Sequence, residues 1–205
     1  MSLLNDITAL DFETTGYSPK RGRVIEIGAI RCIQGKIVSQ FQTLVKFEGK
    51  LSGKITAITG IRQQDLEAGM DEKTAFAILR NLIGNSLIVA HNAPFDLGFL
   101  HEAYGRLSTQ TVLNNNFLDT LSVCRTRHPS PRSLGDMCRA YHIPLLRPHR
   151  ALEDASACLE LFFKLHEESP ADDFINKVVI NPKYGIPKWL PPNAVLATYT
   201  SQTAS

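Results

Sequence analysis

The hydrophobic positions at the start of the chain follow the period of β-strands. Residues from Ile7 to Glu13 are mostly apolar or β-favouring and run into a Thr-Thr-Gly turn, which predicts a buried strand. The runs 23–33 and 37–47 are also strand-like, and they flank the turn sequence Gln-Gly-Lys, which is typical of a β-hairpin. We therefore expect three strands at the beginning of the fold.

Beyond residue 50 the apolar positions follow the helical period, interrupted by short apolar strands. The elements expected there are a loop leading into a short helix over 58–66, helices over 71–84, 93–107, 120–127, 133–141 and 151–168, and strands over 86–90 and 116–118. The helix over 71–84 closes on Gly84, and the helix over 93–107 has a proline near its first turn. This order of elements indicates an α/β fold.

The composition changes after Ser169. The segment 170–205 contains five of the eleven prolines and the only tryptophan, and its last sixteen residues carry no charged side chain. We interpret it as a Pro-rich appendage to a domain over 1–169. It either tethers a partner or docks on the core through its apolar residues. Those residues are Val178, Val179, Ile180 and Trp189.

Length and composition favour one globular domain with a substantial core. The 205 residues are 43% hydrophobic and 20% charged. No apolar run approaches the roughly 20 residues that span a bilayer, and the start MSLLND lacks the features of a signal peptide, so we expect no membrane partner. The four cysteines form no CxxC pair and favour a reduced, cytoplasmic setting. They are Cys32, Cys124, Cys138 and Cys158.

Charge is more informative locally than over the whole chain. The net charge is +2, but the stretch 124–150 has six arginines against the single acid Asp136, an excess of +5 that leaves −3 for the rest. A basic face beside an acidic site suits a polyanion whose backbone is held by arginine. The alternative is a solvated helix face with interspersed arginines.

Two carboxylates stand together at the end of the first predicted strand. Because strand side chains alternate, Asp11 and Glu13 lie on one face, roughly 6.6 Å apart. Like charges at that separation repel by about 2.5 kcal/mol at an effective dielectric constant near 20. Either a cation lies between them or both side chains have reached solvent.

Two further acids lie in the first turns of predicted helices. Asp96 is on the packed face of its helix, and Asp154 follows His149 by five residues. An acid in a first turn can simply complement the helix dipole. If both met the two strand acids in one cleft, the four carboxylates would suit a pair of Mg²⁺ or Mn²⁺ ions, which prefer oxygen ligands. Spacing alone leaves both interpretations open.

Four motifs supply a family resemblance. DFETTG at 11–16, ITGI at 58–61, HNAPFD at 91–96 and HRALEDA at 149–155 have the order and separations of the DEDD exonuclease superfamily. With a histidine five residues before the last aspartate, the chain resembles the DEDDh, or DnaQ-like, branch of 3′–5′ exonucleases. That branch includes the proofreading epsilon subunit of bacterial DNA polymerase III. The resemblance covers roughly residues 5–168.

The resemblance implies a fold, a cofactor and catalytic roles. The fold would be ribonuclease H-like, with a mixed central β-sheet flanked by α-helices. Two divalent metal ions would be held by Asp11, Glu13, Asp96 and Asp154. His149 would be the general base that takes a proton from the attacking water. Two such ions can activate water and stabilise the leaving 3′ oxygen.

The resemblance also implies residues around the terminal nucleotide. These substrate-binding candidates are Thr14, Thr15, Ile58, Thr59, His91, Asn92 and Phe95. Two of them have ordinary structural alternatives. Phe95 could be a core residue paired with Phe99 at helical spacing, and Asn92 could cap the helix that follows it. Apolar stacking on unpaired bases would favour single-stranded ends.

We therefore expect a metal-dependent 3′–5′ exonuclease that releases 5′-mononucleotides from single-stranded DNA. The alternatives are a DEDDh exoribonuclease that acts on RNA 3′ ends and a non-catalytic nucleic-acid-binding subunit. A DNA polymerase partner is possible, but two features depart from the epsilon pattern. Thr59 stands where epsilon subunits commonly have histidine, and nothing after Ser169 resembles a clamp-binding peptide. These departures argue against membership in a replicase, and they fit a stand-alone nuclease of DNA repair or nucleic-acid turnover equally well.

Overall fold

A mixed five-stranded sheet forms the centre of the computed structural model, which describes residues 3–107, 113–183 and 185–198. Its strands, in the spatial order β3-β2-β1-β4-β5, are β1 (Asp6–Thr14), β2 (Val24–Ile33), β3 (Lys36–Leu44), β4 (Leu87–Ala90) and β5 (Phe117–Asp119). The β2 strand is antiparallel to both β1 and β3, whereas β1, β4 and β5 are parallel. The expected hairpin and mixed sheet are confirmed.

Seven α-helices accompany the sheet within the described ranges. They are α1 (Gly53–Thr59), α2 (Gln63–Glu67), α3 (Glu72–Ile83), α4 (Ala93–Arg106), α5 (Thr120–Arg127), α6 (Leu134–Ala140) and α7 (Ala151–Glu168). The expectation of a loop at Ile58 and Thr59 is wrong, because these residues form the last turn of α1. Ser52 caps this helix by accepting a hydrogen bond from the Ile55 N–H at 3.3 Å, and Gly60 ends it in the left-handed conformation.

The two faces of β1 enter different parts of the core. Ile7 and Ala9 pack with α5, α6 and α7, whereas Leu10 and Phe12 pack with α3 and α4. This is the alternation expected for a strand covered on both sides. Each fully buried side chain of this size contributes roughly 1.5–3 kcal/mol of hydrophobic stabilisation. The core therefore holds β1 rigidly where its acidic end emerges.

The C-terminal segment docks on this core. It contains a two-stranded parallel sheet of β6 (Lys177–Ile180) and β7 (Val195–Thr198), which the sequence pattern did not predict. Val178 and Val179 are buried in opposite halves of the core, and Trp189 is half-buried. Docking is thus the alternative that the structure shows. Residues 184 and 199–205 of the appendage lie outside the described residues, and the boundary at residue 169 stays a prediction.

Asn176 connects this segment to the edge of the central sheet. The Asn176 N–H donates to the Phe117 carbonyl at 2.7 Å, and the Phe117 N–H donates to the Asn176 side-chain oxygen at 3.0 Å. These bonds pair backbone groups that the edge strand β5 would otherwise expose. The segment is therefore a fixed layer over this edge of the sheet.

None of the helices in the described ranges is long and apolar enough to cross a bilayer. All four cysteines are buried and unpaired.

Candidate active site

Four acids meet at the carboxyl end of β1. Asp11 and Glu13 come from this strand, Asp96 comes from the first turn of α4, and Asp154 comes from the first turn of α7. The pKa of Asp11 is raised well above its usual range, first by burial and then by the charges of the other three carboxylates. The negative charges of the four carboxylates therefore repel one another, and a bound cation would relieve this repulsion.

The tightest part of this cluster joins β1 to α7. Ligand atoms of Glu13, His149 and Asp154 all lie within 4.8 Å of one another. Burial, with the charges of Asp154 and Glu26, raises the pKa of Glu13 to about 8, although Arg150 opposes the shift. Burial also raises the pKa of Asp154 to about 6. Both carboxylates thus hold protons more strongly than exposed acids do.

One carboxylate oxygen in the cluster is left without a donor. Asp154 Oδ2 accepts a hydrogen bond from the His149 N–H at 3.0 Å, whereas Asp154 Oδ1 is buried and has no hydrogen-bond partner among the described residues. An unsatisfied buried polar atom costs about 1–3 kcal/mol. Together with the repelling carboxylates, this oxygen makes the donor set suited to hard divalent cations.

The position of Asp96 follows from the unequal lengths of two strands. The parallel pairing of β4 with β1 extends only from Ile7 to Ala9, so β1 continues beyond it. The Phe12 N–H then donates to Asp96 Oδ1 at 3.0 Å. This bond favours the charged carboxylate, but burial dominates and keeps the pKa of Asp96 well above its usual range. The side chain is therefore fixed directly beneath the end of β1.

Gly28 allows α7 to lie directly on the sheet. Gly28 is opposite Asp11 in the pairing of β1 with β2, and a Cβ atom at this position would lie 2.1 Å from the Ala151 carbonyl carbon. Any side chain there would push the first turn of α7 away. This close approach brings Asp154, three residues after Ala151, over the strand acids.

Glu26 fixes the start of the same helix, and sequence reasoning missed it. Its carboxylate is only 1% exposed and lies opposite Glu13 in the strand pairing. It accepts hydrogen bonds from Arg150 Nη2 at 2.8 Å and from the Ala151 N–H at 3.1 Å. The available signal was the only acidic residue within the largely apolar run of β2.

Asp119 is a second buried acid that sequence reasoning missed. Asp119 Oδ1 accepts hydrogen bonds from the N–H groups of Asn92 at 2.8 Å and Ala93 at 3.1 Å, where α4 begins. Its other oxygen accepts from the Ser122 hydroxyl at 2.5 Å. Asp119 thereby joins the start of α4 to the start of α5 and holds the turn that carries Asp96. An acid directly before a predicted helix was the signal for such a cap.

A cleft of about 320 Å³ opens over the acidic cluster. Eight of the residues predicted from sequence line it: Asp11, Glu13, Thr14, Ile58, Thr59, Phe95, His149 and Asp154. Tyr17 and Ile55 also line the cleft and were not predicted. His149 is exposed, with its backbone in the left-handed region at φ 64, a conformation that costs a non-glycine residue roughly 1–2 kcal/mol.

Three predicted substrate-binding residues lie elsewhere. The Thr15 hydroxyl accepts a hydrogen bond from the Arg23 N–H at 3.0 Å. His91 lies between the Thr120 hydroxyl and the Arg132 carbonyl, each at 3.0 Å, and burial lowers its pKa. Asn92 is at the N-cap position of α4 but makes no side-chain capping bond, and it lines a different cavity. Their roles toward substrate stay predictions.

Phe95 and Thr59 serve the fold as well as the cleft. Phe95 lines the cleft and packs on Phe99, with ring centroids 5.0 Å apart. It is thus placed both to contact a substrate and to pair with Phe99 in the core. The Thr59 hydroxyl donates to the Ile55 carbonyl at 3.0 Å and accepts from the Ile61 N–H at 3.1 Å. Thr59 therefore offers the cleft mainly its nonpolar surface.

The six arginines of the stretch 124–150 all have partners within the protein. Arg125, Arg127 and Arg132 donate to backbone carbonyls, and Arg139, Arg147 and Arg150 pair with acids. The acids are Asp136, Glu153 and Glu26, respectively. Each arginine of this stretch therefore has a contact within the protein, and the basic face for a polyanion stays a prediction.

Comparison with known proteins gives a family match. The RNase_T family, described as exonuclease, matches residues 8–162. The PolC-type DNA polymerase III of Latilactobacillus sakei is 30% identical over 197 residues, covering 93% of this chain and 14% of the relative. The PolC-type enzyme of Bacillus subtilis is 33% identical over 161 residues, which cover 78% of this chain and 11% of that enzyme. The chain thus corresponds to a small part of these relatives.

Solved structures share the fold. Exonuclease I of E. coli, in complex with a dT13 oligonucleotide, superimposes with a TM-score of 0.71 and 21% identity over 81% of this chain and 42% of that chain. Exonuclease X, in complex with 5′ overhanging duplex DNA, superimposes with a TM-score of 0.67 and 22% sequence identity. The match covers 82% of this chain and 96% of exonuclease X. These likenesses confirm the ribonuclease H-like arrangement of a mixed sheet flanked by helices.

Proposed function

Because the chain belongs to the RNase_T family of DnaQ-like 3′–5′ exonucleases, we propose that it hydrolyses single-stranded DNA from the 3′ end and releases 5′-mononucleotides. The observation that carries this proposal is that Asp11, Glu13, Asp154 and His149 line one open cleft, while Asp96 is held next to the same strand by the Phe12 N–H. A phosphodiester whose 3′-terminal nucleotide fills the cleft would present its phosphate to this cluster.

The family depends on divalent metal ions, and the four acids suit a pair of Mg²⁺ or Mn²⁺ ions. Asp11, Glu13, Asp96 and Asp154 would hold them, with Asp154 Oδ1 as a buried ligand oxygen that lacks a donor. When bound, two such ions supply charge stabilisation for the attacking water, the phosphoryl oxygens and the leaving 3′ oxygen. E. coli exonuclease I in complex with single-stranded DNA is known with a bound zinc ion, which supports a divalent site.

His149 is the proposed general base. Its imidazole is exposed at the rim of the cleft, while its backbone N–H is fixed by Asp154 at 3.0 Å. An imidazole nitrogen at this position can accept the proton of the attacking water and pass it to solvent. The contact with Asp154 keeps the ring beside the carboxylates while leaving it open to water.

DNA is the favoured substrate over RNA. Exonuclease I and exonuclease X are known in complex with DNA, and the PolC-type relatives are DNA polymerases. The cleft wall offers Ile58 and Phe95, nonpolar surfaces on which an unpaired base can stack without sequence preference. Association with a DNA polymerase is the corresponding proposal for a protein partner.

The test is a degradation assay on 5′-labelled strands. Single-stranded DNA, 3′-recessed duplex DNA and matched RNA are each incubated with Mg²⁺, Mn²⁺ or EDTA. We expect a ladder shortened from the 3′ end, fastest on single-stranded DNA and absent with EDTA. Asp11→Asn should abolish the ladder, whereas Asp6→Asn, on the same strand but paired with Arg31, should not. Faster degradation of RNA would instead support an exoribonuclease, and tight binding without degradation would support a binding subunit.

A further inference from the structure

A second cavity adjoins the candidate active-site cleft. It has a volume of about 240 Å³, and Tyr17 and Phe95 line both spaces. The opposite wall of the second cavity is formed by the C-terminal segment, including Lys188 and Trp189. A chain that fills the cleft can therefore continue past Phe95 into this second space.

The wall formed by the C-terminal segment is a built part of the fold. Trp189 stacks on His101 of α4, with ring centroids 5.0 Å apart. Gly98 on the same helix lies against both Pro19 and Trp189, since a Cβ atom there would be 3.1 Å from the proline ring and in ordinary contact with the tryptophan ring at 3.5 Å. Arg125 also donates to the Val179 carbonyl at 2.6 Å and fixes the preceding strand. The cavity therefore has defined walls.

The chemistry of the junction suits a nucleotide. Tyr17 is 79% exposed, and Lys54 Nζ lies 5.9 Å from its ring centroid. An exposed aromatic ring at the edge of a cleft is a stacking surface for an unpaired base. Lys188 is exposed at the far wall and can meet a phosphate group, whereas the buried acid in the lining, Asp119, already accepts four hydrogen bonds.

We propose that this cavity, the C-terminal subsite of Tyr17, Phe95, Lys188 and Trp189, binds the nucleotide that precedes the 3′-terminal one. Its base would lie against Tyr17, and its phosphate would face Lys188. The inference rests on the proposed exonuclease function and adds a second point of contact outside the acidic cluster. It also gives the C-terminal segment a direct role in binding the substrate strand.

The test compares a substrate with one phosphate group and a substrate whose strand continues beyond the scissile phosphate. The 5′-p-nitrophenyl ester of thymidine monophosphate places its nitrophenyl leaving group where the preceding nucleoside would lie, but it has no phosphate that could face Lys188. A single-stranded DNA oligonucleotide supplies that phosphate. We expect Lys188→Ala to raise KM for the oligonucleotide about 3-fold to 10-fold and Lys188→Glu to raise it further. Both variants should hydrolyse the ester with unchanged kcat/KM. Lys36→Ala, an exposed lysine in the β2–β3 hairpin, is the matched control and should change neither.

Binding gives a readout that does not need catalysis. Fluorescence anisotropy with a labelled single-stranded oligonucleotide should show weaker binding when Lys188→Glu is added to the Asp11→Asn background. An unchanged affinity and KM, or an equal loss on the ester and the oligonucleotide, would overturn the C-terminal subsite. Failure of the wild-type protein to hydrolyse either substrate would instead contradict the proposed exonuclease function, and with it any role of the subsite in the reaction.

Discussion

Glu26 and Arg150 are 124 residues apart in sequence, and their side chains form a hydrogen-bonded ion pair at 2.8 Å beneath the start of α7. Glu26 also accepts the Ala151 N–H at 3.1 Å. Because Arg150 directly follows His149 and lies one turn before Asp154, this pair fixes both residues against β2. The geometry of the candidate site thus depends on a carboxylate that lies next to the acidic cluster.

Replacing Glu26 with glutamine should lower kcat more than it changes KM. The substitution keeps the shape of the side chain but leaves Arg150 without its charged partner, so the first turn of α7 loosens. We expect kcat to fall about 10-fold or more and stability to fall by about 1–3 kcal/mol. The matched control is Glu72→Gln, which removes the partly buried ion pair with Arg106 away from the cleft. An equal loss of kcat in both variants, at equal folded fraction, would show that Glu26 acts only through stability.

Gly28→Ala should displace α7 and reduce activity. The added methyl group would lie 2.1 Å from the Ala151 carbonyl carbon, so the helix or the strand must move, at a cost of about 1–3 kcal/mol or more. The melting temperature and kcat are both expected to fall. Gly105→Ala, in the last turn of α4 with open space at its Cβ, should instead leave the protein as stable as the wild type or stabilise it by up to about 0.5–1 kcal/mol. Normal activity of Gly28→Ala would mean that the close approach does not position the site.

His149→Ala should separate proton transfer from metal binding. If His149 acts as the proposed general base, its loss should lower kcat by a factor of about 10² to 10⁴, while the affinity for Mn²⁺ should stay near that of the wild type. His142→Ala is the control, since His142 is also exposed and left-handed at φ 56. His149 also lies close enough to Glu13 and Asp154 to be a ligand. A parallel loss of Mn²⁺ affinity would identify it as a ligand rather than a base.

The stability of the metal-free protein should fall as the pH rises from about 4.5 to about 8. The pKa of Glu13 is raised from 4.5 to about 8, and the pKa of Asp154 from 3.8 to about 6, so these groups, with Asp11 and Asp96, bind more protons in the folded protein than in the unfolded chain. The lowered pKa values of His91 and His128 offset part of this difference. Stability is therefore lost as the carboxyl groups ionise. Thermal melting with EDTA checks the slope. Saturating Mg²⁺ should make the melting temperature nearly independent of pH, and Glu13→Gln should reduce the slope of melting temperature against pH. A rise in melting temperature toward pH 8 with EDTA would contradict the account.

The hydrophobic periodicity of the sequence correctly predicted elements whose apolar positions are also the buried positions of the fold. The alternation along β1 placed Asp11 and Glu13 on one face because Ile7 and Ala9 must enter the core on that side. The helical period likewise placed Asp96 on the buried face of α4. The convergence of these groups did not follow from spacing, since it depends on contacts between β1, α4 and α7. The ordered family motifs supplied it.

Residues that hold the site through long-range contacts could not be predicted in this way. Glu26 lies in an apolar strand, and its role depends on Arg150, far along the chain. Asp119 acts through backbone N–H groups at the start of α4, which leave no trace in side-chain spacing. The C-terminal sheet of β6 and β7 was missed because a proline-rich segment resembles a linker unless its few apolar residues are known to pack.

Counting the Mn²⁺ ions bound per chain tests the central claim most directly. Calorimetric titration of the metal-free protein in the presence of thymidine monophosphate should give two ions for the wild type and for Asp6→Asn, the control on the same strand. The account predicts one ion or none for Asp11→Asn and for Asp154→Asn. A wild-type protein that binds no Mn²⁺, or an Asp11→Asn variant that still binds two, would contradict the claim that these converging acids form a divalent metal site.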